Sequence, residues 1–247
     1  MKIAVVQLKS QKGDVERNIE HHARMIQLAA GFQTDLIVFP ELSITNYEPT
    51  LAQELAKTAK DEIFQPLQAL ADANDMFIGV GCPLRSGGME STIGMIIFQP
   101  GAEPITYSKR LLHDDEVPFF IPGKGEPHFK IKGKRITLGI CYETLQKEHF
   151  DMARQNQSEL FIASVAKPDR GVRNAFVNFT IMAKSMGMPI LMSNSIGPSD
   201  DFISDGQSAI WNKNGELIAK LDQTSEGLLI YDSENNTVDT HVMQDVE

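Results

Sequence analysis

"RITLGICYE", Arg135 to Glu143, reads as an apolar strand that stops at a thiol. The run Ile136-Thr137-Leu138-Gly139-Ile140 has the near-continuous apolar character of a strand buried on both faces, which marks a parallel sheet covered by helices. Cys141 then falls at the strand's carboxyl end, where α/β proteins gather their ligand-binding groups. A cysteine there is either a small core hydrophobe or a presented nucleophile. Its companions elsewhere in the chain decide between the two.

The first half of the chain has a matching feature. "DLIVFPEL", Asp35 to Leu42, is a continuous apolar strand stopped by Pro40, which cannot donate to a ladder, and Glu41 follows at once. Around these two strands the pattern alternates. Lys2 to Leu8 reads as a strand, and Asp14 caps a helix with Ile19, Ala23, Ile26 and Ala30 on one face, ended by Gly31. Leu51, Leu55, Ile63, Leu67 and Leu70 belong to helical pieces, the second opened by Pro66, and "MFIGVG" and "TIGMIIF" are strands. "ELFIAS" and "PILMSN" are strands placed between helices over 147–157 and 171–187, and "GQSAIW", "GELIAKL" and "GLLIYD" are short strands joined by turns such as Asn214-Gly215. No Pro/Gly/Ser linker divides the halves, so residues 1–247 are expected to form one α/β domain, with a polar arm or tail from about residue 233.

Composition narrows the function classes. The 33 acidic and 23 basic residues give a formal charge of -10, which argues against binding nucleic acid or an anionic membrane. No apolar run approaches the roughly 18 residues of a membrane span, and MKIAVVQLKS turns polar too soon for a signal peptide. A cytoplasmic location and two free thiols, Cys82 and Cys141, are therefore expected.

A third candidate joins Glu41 and Cys141. In "ITYSKRLLHDDE" a strand-like segment runs into a charged loop holding Lys109 and Glu116. A thiol needs a base to become a nucleophile, and burial raises a carboxyl pKa towards the working range. A lysine ammonium and the backbone N–H of Tyr142, just past the thiol, suit the oxyanion of a tetrahedral intermediate. This set fits acyl transfer. Other polar features carry less: Cys82 in "GVGCPLRSGG" reads as a packed thiol, and this Gly-rich stretch does not run from strand into helix as a phosphate cradle would. His21 and His22 point to different helix faces and read as a solvated surface, and Arg170 and Arg173 are loop arginines within reach of a substrate carboxylate.

"DLIVFPELSITNY", "YSKRLLHDDEVPFFIPG" and "RITLGICYE" resemble the three blocks of the nitrilase superfamily, the carbon-nitrogen hydrolases, in that order, with 68 residues from Glu41 to Lys109 and 32 more to Cys141. "GQSAIWNKNGELIA" resembles the family's later strand pair. The resemblance spans nearly the whole chain. It implies a four-layer α-β-β-α sandwich, a homodimer or larger homo-oligomer, and a Glu-Lys-Cys triad: Glu41 as general base, Lys109 as oxyanion cation, Cys141 as nucleophile. It further implies Glu116 as a supporting glutamate, Tyr47 at the border of the substrate pocket, and neither metal nor organic cofactor; Arg173 is a pocket candidate by its place in "PDRGVRN" alone.

One block departs: where relatives carry an Arg-Ala pair followed by an acidic residue and Asn, this chain has "MAKSMGMP", keeping only Ala183. The implied activity is hydrolysis of a small linear amide or carbamoyl compound through a cysteine thioester. Alternatives are a true nitrilase with the same side chains, a non-catalytic binding protein on this scaffold, and a redox-sensing thiol. Nothing in the sequence supplies the membrane helices of the acyltransferase branch or the synthetase domain of the glutamine-dependent branch.

Overall fold

The structure, a computed structural model, describes residues 1–88 and 90–243. The first half contains β1 (Lys2–Gln7), α1 (Val15–Ala30), β2 (Leu36–Val38), α2 (Ala52–Leu55), α3 (Gln65–Asn74), β3 (Phe77–Arg85), β4 (Ser91–Gln99) and β5 (Ala102–Ser108). The second contains β6 (His128–Ile131), β7 (Lys134–Ile140), α4 (Lys147–Gln155), β8 (Leu160–Val165), α5 (Asp169–Met186) and β9 (Ile190–Asn194). It continues through β10 (Ile196–Ser199), β11 (Phe202–Asp205), β12 (Ala209–Trp211), β13 (Leu217–Lys220), β14 (Gly227–Asp232) and β15 (Thr237–Val242).

Two mixed sheets result, one in the order β15-β14-β1-β2-β3-β4-β5 and one in the order β13-β12-β9-β8-β7-β6, with β10 and β11 as a separate hairpin. At the heart of the first, β1, β2 and β3 run parallel. At the heart of the second, β7, β8 and β9 do the same. The weak internal repetition of the sequence is this pair of parallel triplets.

Three apolar clusters define the layers. Ile3, Val5, Leu36 and Val38 of one sheet meet Ile136, Leu138, Ile162 and Leu191 of the other. The outer face of the first sheet buries Ala4, Val6, Ile37 and Ile78 against Ile19 and Ile26 of α1 and Leu67 of α3. The outer face of the second buries Phe161, Ala163 and Met192 against Phe150 of α4 and Phe179 of α5. Both faces of each central strand are therefore buried, as the unbroken apolar runs require, and the molecule is a four-layer α-β-β-α sandwich.

Polar clips align the two sheets where the parallel strands end. Ser193 Oγ of β9 donates to Val6 O at 2.6 Å and to Val38 O at 3.2 Å, and Ser164 Oγ of β8 donates to Phe39 O at 2.9 Å. A buried hydroxyl must find an acceptor, so these bonds fix the register of one sheet over the other.

Several local expectations change. Residues after Ser233 do not leave as a tail: after a turn, β15 pairs antiparallel with β14 from Thr237 to Val242, with Val238 packed on the inter-sheet core. The polar residues that suggest an arm are the solvent side of an edge strand; residues 244–247 of that expected tail lie outside the described residues. Asp14 caps α1 as expected, by accepting from Arg17 N, but Gly31 is right-handed and the left-handed turn falls at Gln33, with φ 58°. The buried stripe of α1 includes His22 in place of Ala23: the ring stacks on Phe39, and its nitrogens meet Asn18 O at 2.6 Å and Ser43 Oγ at 2.9 Å. That histidine is an internal brace, while His21 pairs with Glu226 at 2.9 Å. "GVGCPLRSGG" lies in and after β3, leading into the antiparallel β4, and Cys82 is wholly buried there.

Candidate active site

Glu41 lies just beyond the carboxyl end of β2, in a tight turn that packs on β3. Gly81 makes that approach possible: a Cβ there would stand 2.4 Å from both Pro40 O and Leu42 N. Ile44 N then donates to Gly81 O at 3.0 Å and fastens the turn. Lys109 follows β5, held by its own N–H on Ile93 O and by Gly123 N on its carbonyl, both at 2.7 Å. Cys141 follows β7 and opens a short 3₁₀ turn, Cys141–Leu145. Its φ of 44° is left-handed, a conformation that costs a non-glycine residue about 1 kcal/mol or more and that surrounding structure must hold in place.

The holding group is Glu143. Its carboxylate is fully buried and accepts from Ile140 N at 2.8 Å, Tyr107 Oη at 2.7 Å and Arg110 N at 2.9 Å. One side chain thus ties the cysteine turn to the segment that carries Lys109. Nothing in the sequence reading singles it out, although a carboxylate two residues past a strand-end cysteine is visible in "GICYE".

Lys109 Nζ donates to Glu41 Oε1 at 2.9 Å and to Glu116 Oε1 at 2.5 Å, with all three side chains sealed from solvent. Glu116 is fully engaged, because His113 N donates to its Oε2 at 2.8 Å and Tyr47 Oη to its Oε1 at 3.1 Å. Glu41 is not: its Oε2 is buried with no hydrogen-bond partner among the described residues. Burial raises the Glu41 carboxyl above the ordinary range, the nearby ammonium opposes this, and Glu116 adds to it. Burial also works to strip Lys109 of its proton, but Glu41 and Glu116 outweigh it and hold the ammonium charged. Burial pushes the Tyr47 phenol well up, so it remains a neutral donor.

Cys141 is partly exposed at the floor of a cavity of about 640 Å³. Tyr47, Glu116, Tyr142, Phe202 and Asn174 share its wall, while Glu41 and Lys109 lie buried beneath and reach it through Glu116. Burial, then the charge of Glu41, pushes the thiol up to about 11, while Lys167 and Lys109 draw it down. The resting site therefore holds a protonated thiol in the field of a carboxyl group whose charged form burial disfavours.

Of the residues expected at the site, the structure gathers Glu41, Lys109, Glu116, Cys141, Tyr142 and Tyr47. It does not gather Arg173, which points its guanidinium along α5 to Asp169 and is absent from the cavity wall. The face of α5 turned to the cavity carries Gly171, Asn174 and Asn178, at the three- and four-residue spacing of a helix, and Arg173 falls off that stripe. Lys167 was missed. It sits just past β8, with Nζ 3.6 Å from Cys141 Sγ; the signal was the rule that found Glu41 and Cys141, a polar residue just past a buried parallel strand. Among the described residues no group of His, Cys, Asp and Glu is arranged to hold a metal ion.

Fold and site define the class: the carbon-nitrogen hydrolase family profile matches residues 2–240, and the chain belongs to that family. Among curated relatives it is 24% identical to a probable nitrilase of Schizosaccharomyces pombe, covering 93% of this chain and 87% of that one. It is 27% identical to an (R)-stereoselective amidase of Pseudomonas sp., covering 81% and 73%. It is also 24% identical to the glutamine-dependent NAD(+) synthetase of Acinetobacter baylyi over 92% of its length, but spans only 43% of that protein. Among solved structures, the NitN amidase of Nesterenkonia sp. AN1 superimposes with a TM-score of 0.85 at 22% identity, covering 94% of this chain and 92% of that one. Other structures of the same amidase hold butyramide, or acrylamide added at the active-site cysteine.

Proposed function

We propose that the protein is a thiol amidohydrolase that converts a small linear amide or carbamoyl compound to the acid and ammonia or an amine. The observation that carries this reading is the buried Glu41–Lys109–Glu116 cluster set beneath a partly exposed Cys141 in an open-mouthed cavity. Glu41 takes the Cys141 proton, and the free Oε2 is the acceptor still available for it. The sulfur attacks the carbonyl carbon, and the developing oxyanion is held by the Lys109 ammonium and the Tyr142 N–H. Collapse expels ammonia with the proton carried by Glu41, leaving a thioester. Water, deprotonated by Glu41, then adds to the thioester, and the thiol leaves with that proton. Glu116 keeps Lys109 in place throughout, and Tyr47 keeps Glu116.

The amidase reading is favoured over the nitrilase one by the fit to an amidase that holds butyramide. The exposed apolar Val177 and Ile181, 62% and 61% accessible and one turn apart on α5, support a homo-oligomer. The two unpaired thiols support a cytoplasmic setting. No described helix is long and apolar enough to cross a membrane.

The test is ammonia release from a panel of ω-amides, carbamoyl compounds, aliphatic amides and nitriles, with Cys141→Ala as the blank. Release from at least one amide or carbamoyl compound is expected. Release confined to nitriles would move the enzyme to the other branch, and release by the alanine variant at the wild-type rate would end the thiol mechanism.

A further inference from the structure

β7 and β8 run parallel, with Ile140 opposite Ser164, so the residues just past their ends are neighbours. Past β7 stands Cys141, and past β8 stand Ala166 and Lys167. Among the described residues Cys141 Sγ has two hydrogen-bond contacts: it donates to Ala166 O at 3.8 Å, and it faces Lys167 Nζ at 3.6 Å. The sulfur is the sole hydrogen-bond partner of that ammonium among the described residues, and no carboxylate there lies within ion-pair distance of it. The residue is only 5% exposed. A buried cation without an anion is unfavourable, and in such a place the missing charge belongs to a state that the catalytic cycle creates.

We propose that Lys167 is a catalytic residue: its ammonium donates to the Cys141 sulfur and neutralises the thiolate when the proton leaves. This rests on the amidohydrolase reading only in naming Glu41 as the group that receives the proton. The S–H bond breaks, its electron pair stays on sulfur, the proton joins Glu41, and Lys167 keeps all three of its own protons. Negative charge thus moves from the Glu41–Lys109–Glu116 cluster to a sulfur already paired with a second cation. Lys109 spends two of its three N–H donors on Glu41 and Glu116, and the third is the one given to the oxyanion.

The lysine is built in rather than draped. Its N–H donates to Asn194 Oδ1 at 2.8 Å, and its carbonyl accepts from Asp205 N at 2.9 Å and Asn194 Nδ2 at 3.3 Å. Gly171, in the first turn of α5, leaves room for its stem: a Cβ there would come within 3.2 Å of Lys167 Cβ. The other charged or ionisable groups facing the sulfur are Glu41 after β2, Tyr47 in the same loop, Lys109 after β5, and Asp115 and Glu116 with His113 in the segment beyond. Lys167 and Lys109 are the two lysines of this set, and Lys167 is the one in hydrogen-bond contact with the sulfur.

Alkylation by iodoacetamide, followed by mass spectrometry at Cys141, tests the proposal without any substrate. Lys167→Met should slow alkylation at pH 8 about tenfold and move its half-maximal pH up by about one unit, the equivalent of one unit of thiol acidity. Lys167→Arg should retain most of the wild-type rate, and Gly171→Ala, which presses on the stem, should give a smaller shift in the same direction. Lys167→Gln is run in parallel so that a folding failure of one variant leaves the other to answer. Wild-type alkylation rates and pH profile in the Met or Gln variant would overturn the proposal. So would a loss of amide turnover with unchanged alkylation, which would make Lys167 a substrate anchor. If the wild type turned over no amide while Lys167→Met still slowed alkylation, the amidohydrolase reading would fall and the sulfur–lysine pair would stand.

Discussion

Replacing Lys109 with methionine removes the one cation that Glu41 and Glu116 share. In the native protein its ammonium lies 2.9 Å and 2.5 Å from the two carboxylates, and the side chain is 0% exposed. Methionine fills most of the space but leaves two buried carboxylates facing each other. Removing one partner from a buried ion pair costs about 3–5 kcal/mol, and a chain of this length loses roughly 2–4 °C in Tm per kcal/mol. Lys109→Met should therefore melt roughly 6–20 °C below wild type at pH 8. The deficit should shrink as the pH falls. Glu41 is already raised by burial, and losing the ammonium that opposes this raises it further, so the folded variant binds a proton more readily than the unfolded chain. When the folded state holds more protons, stability falls as pH rises, and acid restores part of it. Calorimetry at pH 8, 7, 6 and 5 measures this directly. A variant within 2 °C of wild type at pH 8, or a deficit that does not change with pH, would refute the account of a single ammonium neutralising two sealed carboxylates.

Two other perturbations probe the supports of the site. Glu143→Ala leaves Ile140 N, Tyr107 Oη and Arg110 N without their acceptor. At about 1–3 kcal/mol for each stranded donor the loss should be at least about 3 kcal/mol in urea unfolding, with kcat falling more than KM rises; a loss below 1 kcal/mol would show that water replaces the carboxylate. His22 concerns acid stability: burial holds its imidazole down to about 3, so it stays neutral in the fold while the unfolded chain charges it below about pH 6.5. Stability is present above that value and is lost as the pH falls towards 3, so wild type should lose up to about 1.4 kcal/mol per pH unit more than His22→Gln between pH 6 and 4. Equal slopes in the two proteins would assign the acid limb to other groups.

Much of this architecture was legible because its central strands are buried on both faces. Such strands appear as unbroken apolar runs, and the runs ending in Pro40-Glu41 and Ile140-Cys141 placed two candidate groups before any geometry was known. What escaped has a common cause. β10 and β11 contain Gly197, Pro198, Ser199 and Ser204, so no apolar alternation marks them. His22, Glu143 and Lys167 are polar side chains whose meaning lies in tertiary partners tens of residues away or in adjacent strands. Arg173 failed for the opposite reason: its position was near enough in sequence, but helical spacing turned it off the cavity stripe.

The ionic cluster and the thiol are supplied by both sheets, Glu41 by the first and Cys141 by the second, and they meet across the inter-sheet apolar core, with Ser164 and Ser193 latching strand ends across the midplane. The first half holds the acid–ammonium cluster and the second the thiol, so neither half holds the whole set. Turnover is consequently an all-or-none reporter of sheet docking: a population that has loosened one layer, even with its secondary structure intact, is silent. Residual activity during mild denaturation therefore counts molecules still fully assembled.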